Sequence, residues 1–398
     1  MNRYNRKLLG LAAFALWLAA GVGAASPASV PPGRRAQAAA AAPAISFEET
    51  ARFLSGLPCE SESLRKLQET PEGKEFMAAM DRNWADLETK RLKPMREWAS
   101  GEMAEARAAT KILFYPFGGP DILTSFVLFP EAETHILLGL EFVGRLPAFT
   151  SFKPERAAAY TRNVSAALSD FFNKSYFITK NMNTAFGGDK VDGVLPILCL
   201  FLERTGNHIL AVKRCEFLDT GELLESDFAV PAKKQRRPYG AKIEFRAEAG
   251  GSPKSLYYFS CDLVDDVFKL DSVLYKHLAA IPFESTYVKS ASYLMHYKTF
   301  ANIRNLILDK SRFVLEDDTG IPYRYFKPEI WQARLYGEYI KPVKDFSGVE
   351  QKDLKAAYAD PASDLRKLPF HLGYHWSTNK DSILYFQRKI APASGGAR

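Results

Sequence analysis

What most restricts the fold of this chain is a set of short apolar runs that each stop at a carboxylate. Ile112 to Tyr115 leads through Pro116-Phe-Gly-Gly-Pro into Asp121, His135 to Leu140 leads into Glu141, and Arg312 to Leu315 leads into Glu316-Asp-Asp-Thr-Gly320. Runs this short, bounded by glycine and proline, read as buried strands. Ile122 to Phe129, stopped by Pro130, reads as a short helix or a second extended piece. Sequence with helical spacing separates the runs, and strand–helix–strand alternation is the pattern of parallel strands joined by right-handed crossovers. The carboxyl ends of such strands share one edge, where ligands sit in open α/β sheets. Asp121, Glu141, Asp317 and Asp318 are therefore the candidate catalytic residues. Acids gathered without partners would raise one another's pKa or recruit a divalent cation. The bland reading of Asp121 is a cap on the next helix, and that of Asp317 and Asp318 an Asx-type turn opening a hairpin through Tyr323–Phe326.

The rest of the sequence fills in an α/β fold: an N-terminal helical cap over 46–109, then over 110–390 an α/β domain with a mixed, mostly parallel sheet flanked by helices and an antiparallel hairpin at the sheet edge. Thr70 is placed as N-cap with Pro71 at the first helical position. The stripe Phe76, Met80, Trp84, Leu87, Arg91, Met95 and Trp98 keeps helical spacing, with Pro94 set to kink or divide the helix. A further helix starts at Lys153-Pro-Glu155 and continues towards Ile178, and Gly193–Leu202 is helical, followed by a strand over Ile209–Leu218. Ile243 and Phe245 alternate with Lys242, Glu244 and Arg246 before Gly250-Gly-Ser-Pro253, which marks the hairpin. Val267–Ala280 reads as helix, Thr286–His296 as strand and Thr299–Leu308 as helix. Leu368–Trp376 and Ser382–Arg388 read as a closing pair of strands, and 391–398 as a loose tail.

The first residues carry Arg3, Arg6 and Lys7 ahead of an apolar run from Leu8 to Ala25, with Val22-Gly-Ala24 as a small-x-small cleavage site. This is the form of a secretory signal over 1–25, the competing reading being an uncleaved anchor. Residues 26–45, rich in Pro and Ala, read as a linker. Cleavage implies a periplasmic or extracellular protein with no stable membrane span. It also takes three cations from a formal charge of +7, leaving +4, too weak a field for nucleic acid as a partner. Lys233–Arg237 reads as a solvated loop. Cys59, Cys199, Cys215 and Cys261 allow two bridges by number, but Cys199 and Cys215 lie in apolar runs and fit equally as buried small hydrophobes.

Motifs of serine hydrolases, zincins, P-loop proteins and dinucleotide-binding proteins are absent from the sequence. His371 and His375 have helical metal-site spacing, but Gly373 and the alternation of Phe370, Leu372, Tyr374 and Trp376 favour a strand. There the imidazoles would stand about 13 Å apart, too far for one metal. Tyr115–Asp121, Leu138–Gly144 and Asp317–Arg324 resemble segments of an uncharacterised family of exported bacterial proteins, a likeness that covers Lys111 to about Lys389 and implies no activity. Two functions fit the residues. One is an exported hydrolase-like enzyme with a carboxylate-lined crevice for a small molecule. The other is a non-catalytic envelope protein that binds a ligand or an envelope component through surface tyrosines, Tyr257, Tyr258, Tyr323, Tyr325, Tyr336 and Tyr339 among them.

Overall fold

A computed structural model describes residues 46–178, 181, 182, 184, 186, 190–228, 238–375 and 380–389. The expected signal, linker, basic loop and tail lie outside them. An apolar run becomes a strand here because both of its faces are covered. Strands β1 (Ile112–Tyr115), β2 (Thr134–Gly139), β3 (Asn207–Phe217), β4 (Leu223–Asp227), β5 (Tyr239–Ala247), β6 (Lys254–Ser260), β7 (Ser285–Val288), β8 (Phe313–Asp317), β9 (Trp331–Gly337), β10 (Leu365–Arg366) and β11 (Ser382–Arg388) form one sheet. Its order is β10-β9-β11-β8-β7-β1-β2-β6-β5-β3-β4. The central block β8-β7-β1-β2-β6 is parallel, so its carboxyl ends do share one edge.

Both flanks differ from the expectation. β5, β3 and β4 extend the sheet antiparallel on one side, and β11 and β9 run antiparallel on the other. The sheet is thus mixed, with a parallel centre, and is not mostly parallel. The β5–β6 hairpin forms, but β6 pairs in parallel with β2 and β5 pairs with β3, which places it inside the sheet. Lys242 and Glu244 of β5 pair with each other, and Lys242 also reaches Glu225 of β4, so charges that look solvated in the sequence are satisfied within the sheet.

Alternate residues of the central strands feed two cores. Leu113, Tyr115, Leu137, Tyr287 and Leu315 face one core, and Phe114, Ile136, Leu138, Val288 and Val314 face the other. The first core is closed by α1 (Phe47–Leu54), α2 (Glu62–Gln68), α3 (Pro71–Leu87), α4 (Lys93–Glu102), α5 (Ala104–Ala109), α6 (Ile122–Leu128), α7 (Pro154–Lys174) and α8 (Leu195–Arg204). The second is closed by α9 (Val273–Ala280), α10 (Ala301–Lys310) and α11 (Lys352–Ala359). Residues 46–109 are therefore a layer of the sheet's own core and not a separate cap. Thr70 caps α3 as expected, accepting from the Gly73 amide at 3.0 Å. Before Pro94 the helix passes through a π turn at Glu88–Leu92, which leads into α4. Phe76, Met80, Leu87, Met95 and Trp98 of the stripe are buried, whereas Trp84 is half-buried between Phe201 and the Arg204 guanidinium.

Several extended readings shrink. The 286–296 strand stops at Val288, and the 267–280 helix begins only at Val273. Tyr323–Tyr325 is a 3-10 turn in place of a hairpin. Of the strand expected over Leu368–Trp376, Trp376 lies outside the described residues and Leu368–His375 does not form a strand, because Gly373, at φ +74°, turns the chain into a 3-10 turn at Gly373–His375. All four cysteines are buried free thiols. Burial pushes the thiols of Cys59 and Cys215 up to about 12, which suppresses the reactive thiolate. Native protein is expected to leave all four thiols unreactive towards an aromatic disulfide reagent, and protein unfolded without reductant to titrate all four. A lower count in denaturant would reveal a bridge.

Candidate functional site

The carboxyl edge of the parallel block is built from the turns that follow β1, β7 and β8. After β1, Phe117 and Gly119 take positive φ, +62° and +53°, and deliver Asp121 to the start of α6. There it accepts from the Thr124 amide at 3.1 Å, so the capping role holds. The same carboxylate also accepts from Tyr115 Oη at 3.0 Å and from Lys289 Nζ at 2.5 Å. Lys289 follows β7, is buried, and also donates to Ser175 O at 2.7 Å. Burial lowers its pKa, against the pull of Asp121. Asp121 thus has its counter-charge from an ammonium of the chain itself.

The next residue continues the network. The Ser290 amide donates to Asp317 Oδ2 at 2.9 Å, and the Thr319 amide to Asp317 Oδ1 at 3.0 Å. Burial, then the charge of Asp318, raise the Asp317 pKa to about 7. The two adjacent acids point apart as expected: Asp318 accepts from Tyr293 Oη at 2.5 Å and lies 3.7 Å from His375 Nε2. Burial opposes a charged His375, but the bond to Asp318 and the charges of Asp318, Asp381 and Asp317 outweigh it and raise the imidazole pKa. His371 pairs instead with Asp381, Nδ1 to Oδ2 2.6 Å, so the two histidines serve different acids. A side chain at Gly373 would place its Cβ 2.6 Å from Asp317 Oδ2, so only glycine lets this turn lie on the acid.

Backbone strain gathers here. The non-glycine residues with positive φ among those described are Phe117, Ser175, Ser290, Ser292 and Tyr293. Each such residue costs on the order of 1 kcal/mol or more. Phe117 lies in the turn that leads to Asp121. Ser175 holds Lys289 through its carbonyl and the Gly373 amide through its hydroxyl, at 2.9 Å, and Tyr293 holds Asp318. Tyr374 Oη ties Ser290 O at 2.9 Å to Ser292 Oγ at 2.7 Å. The Ser290 hydroxyl is buried without a hydrogen-bond partner.

Of the acids nominated by the sequence, Asp121, Asp317 and Asp318 join this network. Glu141 follows β2, which lies next to β1 but three strands from β8, about 14 Å between axes. It packs on Tyr258, whose hydroxyl donates to Glu141 O at 2.8 Å. Nearby arginines are engaged elsewhere: Arg145 pairs with Asp192, Arg304 donates to Met295 O, and the Arg324 guanidinium lies over the Tyr325 ring. Sequence reasoning missed Lys289, Ser290 and the pairing of His375. The available signal was a lysine and a serine directly after the apolar pair Tyr287-Val288, hidden by extending that strand too far. Among the tyrosines, Tyr258, Tyr336 and Tyr339 are buried, so the six do not make one exposed patch. No helix among the described residues is long and apolar enough to cross a membrane. Neither the scan against protein-family models nor the search of curated proteins finds a match for this chain.

Proposed function

We propose that the protein is an exported hydrolytic enzyme whose acid–base centre is Asp317, Asp318 and His375 at the carboxyl end of β8. The observation that carries this reading is the concentration of strained residues around that centre. Strain persists where surrounding structure enforces it, and it collects where geometry is held for function. The chemistry fits the residues. A buried carboxyl with a pKa of about 7 both gives and takes a proton near neutrality. His375, with its side chain 13% exposed, is the member open to a substrate, and Asp318 orients it. Ser290 holds the Asp317 carboxylate through its backbone amide, and its own hydroxyl is not spent on another hydrogen bond. Export rests on the sequence of residues 1–25.

The test is turnover of chromogenic esters, phosphate esters and glycosides by the purified mature chain, His375→Gln and Asp317→Asn. One substrate class should be hydrolysed by the wild type, with each variant losing about 100-fold to 10,000-fold in kcat/KM while His375→Gln keeps its Tm. Folded wild-type protein inert on every class, or His375→Gln at full activity, would overturn the assignment.

A further inference from the structure

A second group of side chains stands apart from the strand edge, where the first turn of α1, the last turn of α8 and the start of β3 meet. Gly206, at φ +73°, turns the chain between α8 and β3 and so brings His208 back over Glu203. Glu48 reaches them from α1. Ligand atoms of Glu48, Glu203 and His208 all lie within 4.8 Å of one another. Glu203 and His208 border a cavity of about 290 Å³ that is also lined by Asn207 and Glu248, with Arg52 and Arg204 on its wall.

We propose that Glu48, Glu203 and His208 bind one divalent transition-metal ion of the Zn²⁺ class. Two carboxylates and an imidazole are a ligand set for such an ion, whereas Mg²⁺ and Ca²⁺ favour oxygen alone. Three protein ligands leave the remaining position open towards the cavity.

An ordinary ion-pair cluster does not account for the polar atoms present. Glu203 is 4% exposed, yet its charge partner Arg52 is 3.9 Å away, and its remaining bond is from the Ile209 amide at 3.3 Å. His208 Nδ1 lies 2.8 Å from Glu48 Oε1 but is not aligned to donate to any acceptor. Asn207, 1% exposed, spends its amide nitrogen on Leu202 O and Thr205 and leaves Oδ1 with no partner. Asn207 lines the same cavity as Glu203 and His208, so its carbonyl oxygen is a further acceptor beside the cluster. The local charge has the sign a cation needs. Glu203 and Glu248 share the cavity with Arg52, and Glu48 adds a third carboxylate to the cluster, while Arg204 pairs with Asp81 at 2.7 Å and donates to Ser55 O.

The experiment is titration calorimetry of the chelator-treated mature chain with Zn²⁺ and with Mg²⁺, repeated on Glu48→Gln and His208→Ala. Both replaced residues are partly exposed, so the variants should keep the wild-type Tm without metal. Expected are one Zn²⁺ per chain, about 100-fold preference over Mg²⁺, and at least about tenfold weaker Zn²⁺ binding in each variant. Co²⁺ should show no thiolate charge-transfer band, which separates this site from the cysteines. Absence of Zn²⁺ binding at about 100 µM, well above the range of built sites, or equal binding by the wild type and both variants, or a thiolate band, would overturn the proposal.

Discussion

Lys289→Met is expected to destabilise the protein by about 3 to 5 kcal/mol at neutral pH, because it removes the cation bonded to the buried Asp121 carboxylate and leaves only the charge of the nearby Arg91. Both side chains are nearly inaccessible, at 2% and 3% exposure, so water cannot replace the lost partner. Asp121 would keep its bonds from Tyr115 and Thr124, which solvate a charge only in part. Lys289→Met combined with Asp121→Asn removes both charges and retains a capping oxygen for α6. Its cost should fall well short of the sum of the two single changes, with a coupling of roughly 1 to 3 kcal/mol. Urea unfolding of the four proteins measures this directly. Additive effects, or a single-variant cost below about 1 kcal/mol, would mean that the pair is not the link between the turns after β1 and β7.

Stability should also depend on pH through Asp317. Its carboxyl binds a proton more tightly in the fold, at about 7, than at its ordinary 3.8, so folding takes up a proton between those values. Stability therefore declines as pH rises through that window, by at most about 1.4 kcal/mol per unit. Asp317→Asn stays neutral throughout. Its stability relative to wild type should climb by up to about 4 kcal/mol between pH 4 and 7.5, and then level off. The comparison between the two proteins is needed because other groups titrate as well. Glu316 and Asp381 are raised by burial and act in the same direction, while His135, lowered to about 3, and His296, lowered to about 4, act in the opposite one. Denaturant midpoints at pH 4.5 and 7.5 decide the matter, and curves that stay parallel across that range would show that Asp317 does not titrate there.

These two expectations meet in one piece of backbone. Lys289 and Ser290 are adjacent, one bonded to the acid after β1 and the other to the acid at the end of β8. Loss of the Lys289 pair should thus disturb Asp317 as well as α6. Glu141, although on the same edge, should be spared, since its contact with Tyr258 comes from β6.

The sequence by itself determined the local elements and the shared edge. Ile112–Tyr115, the run into Gly139 and the run into Asp317 are strands because near-continuous apolar residues need cover on both faces, and Asp121 caps a helix because its carboxylate meets a free amide three residues on. Parallel strands joined through helices then put Asp121, Asp317 and Asp318 at one end of the sheet. The tertiary structure alone decided the partners. That a lysine serves Asp121, that His375 turns to Asp318 while His371 turns to Asp381, and that Glu141 follows a strand three places from β8 depend on strand order and on left-handed turns at Ser290 and Gly373. Apolar periodicity reports which face of an element is buried; it carries no information on which strands become neighbours, because that choice is set by packing between residues distant in sequence.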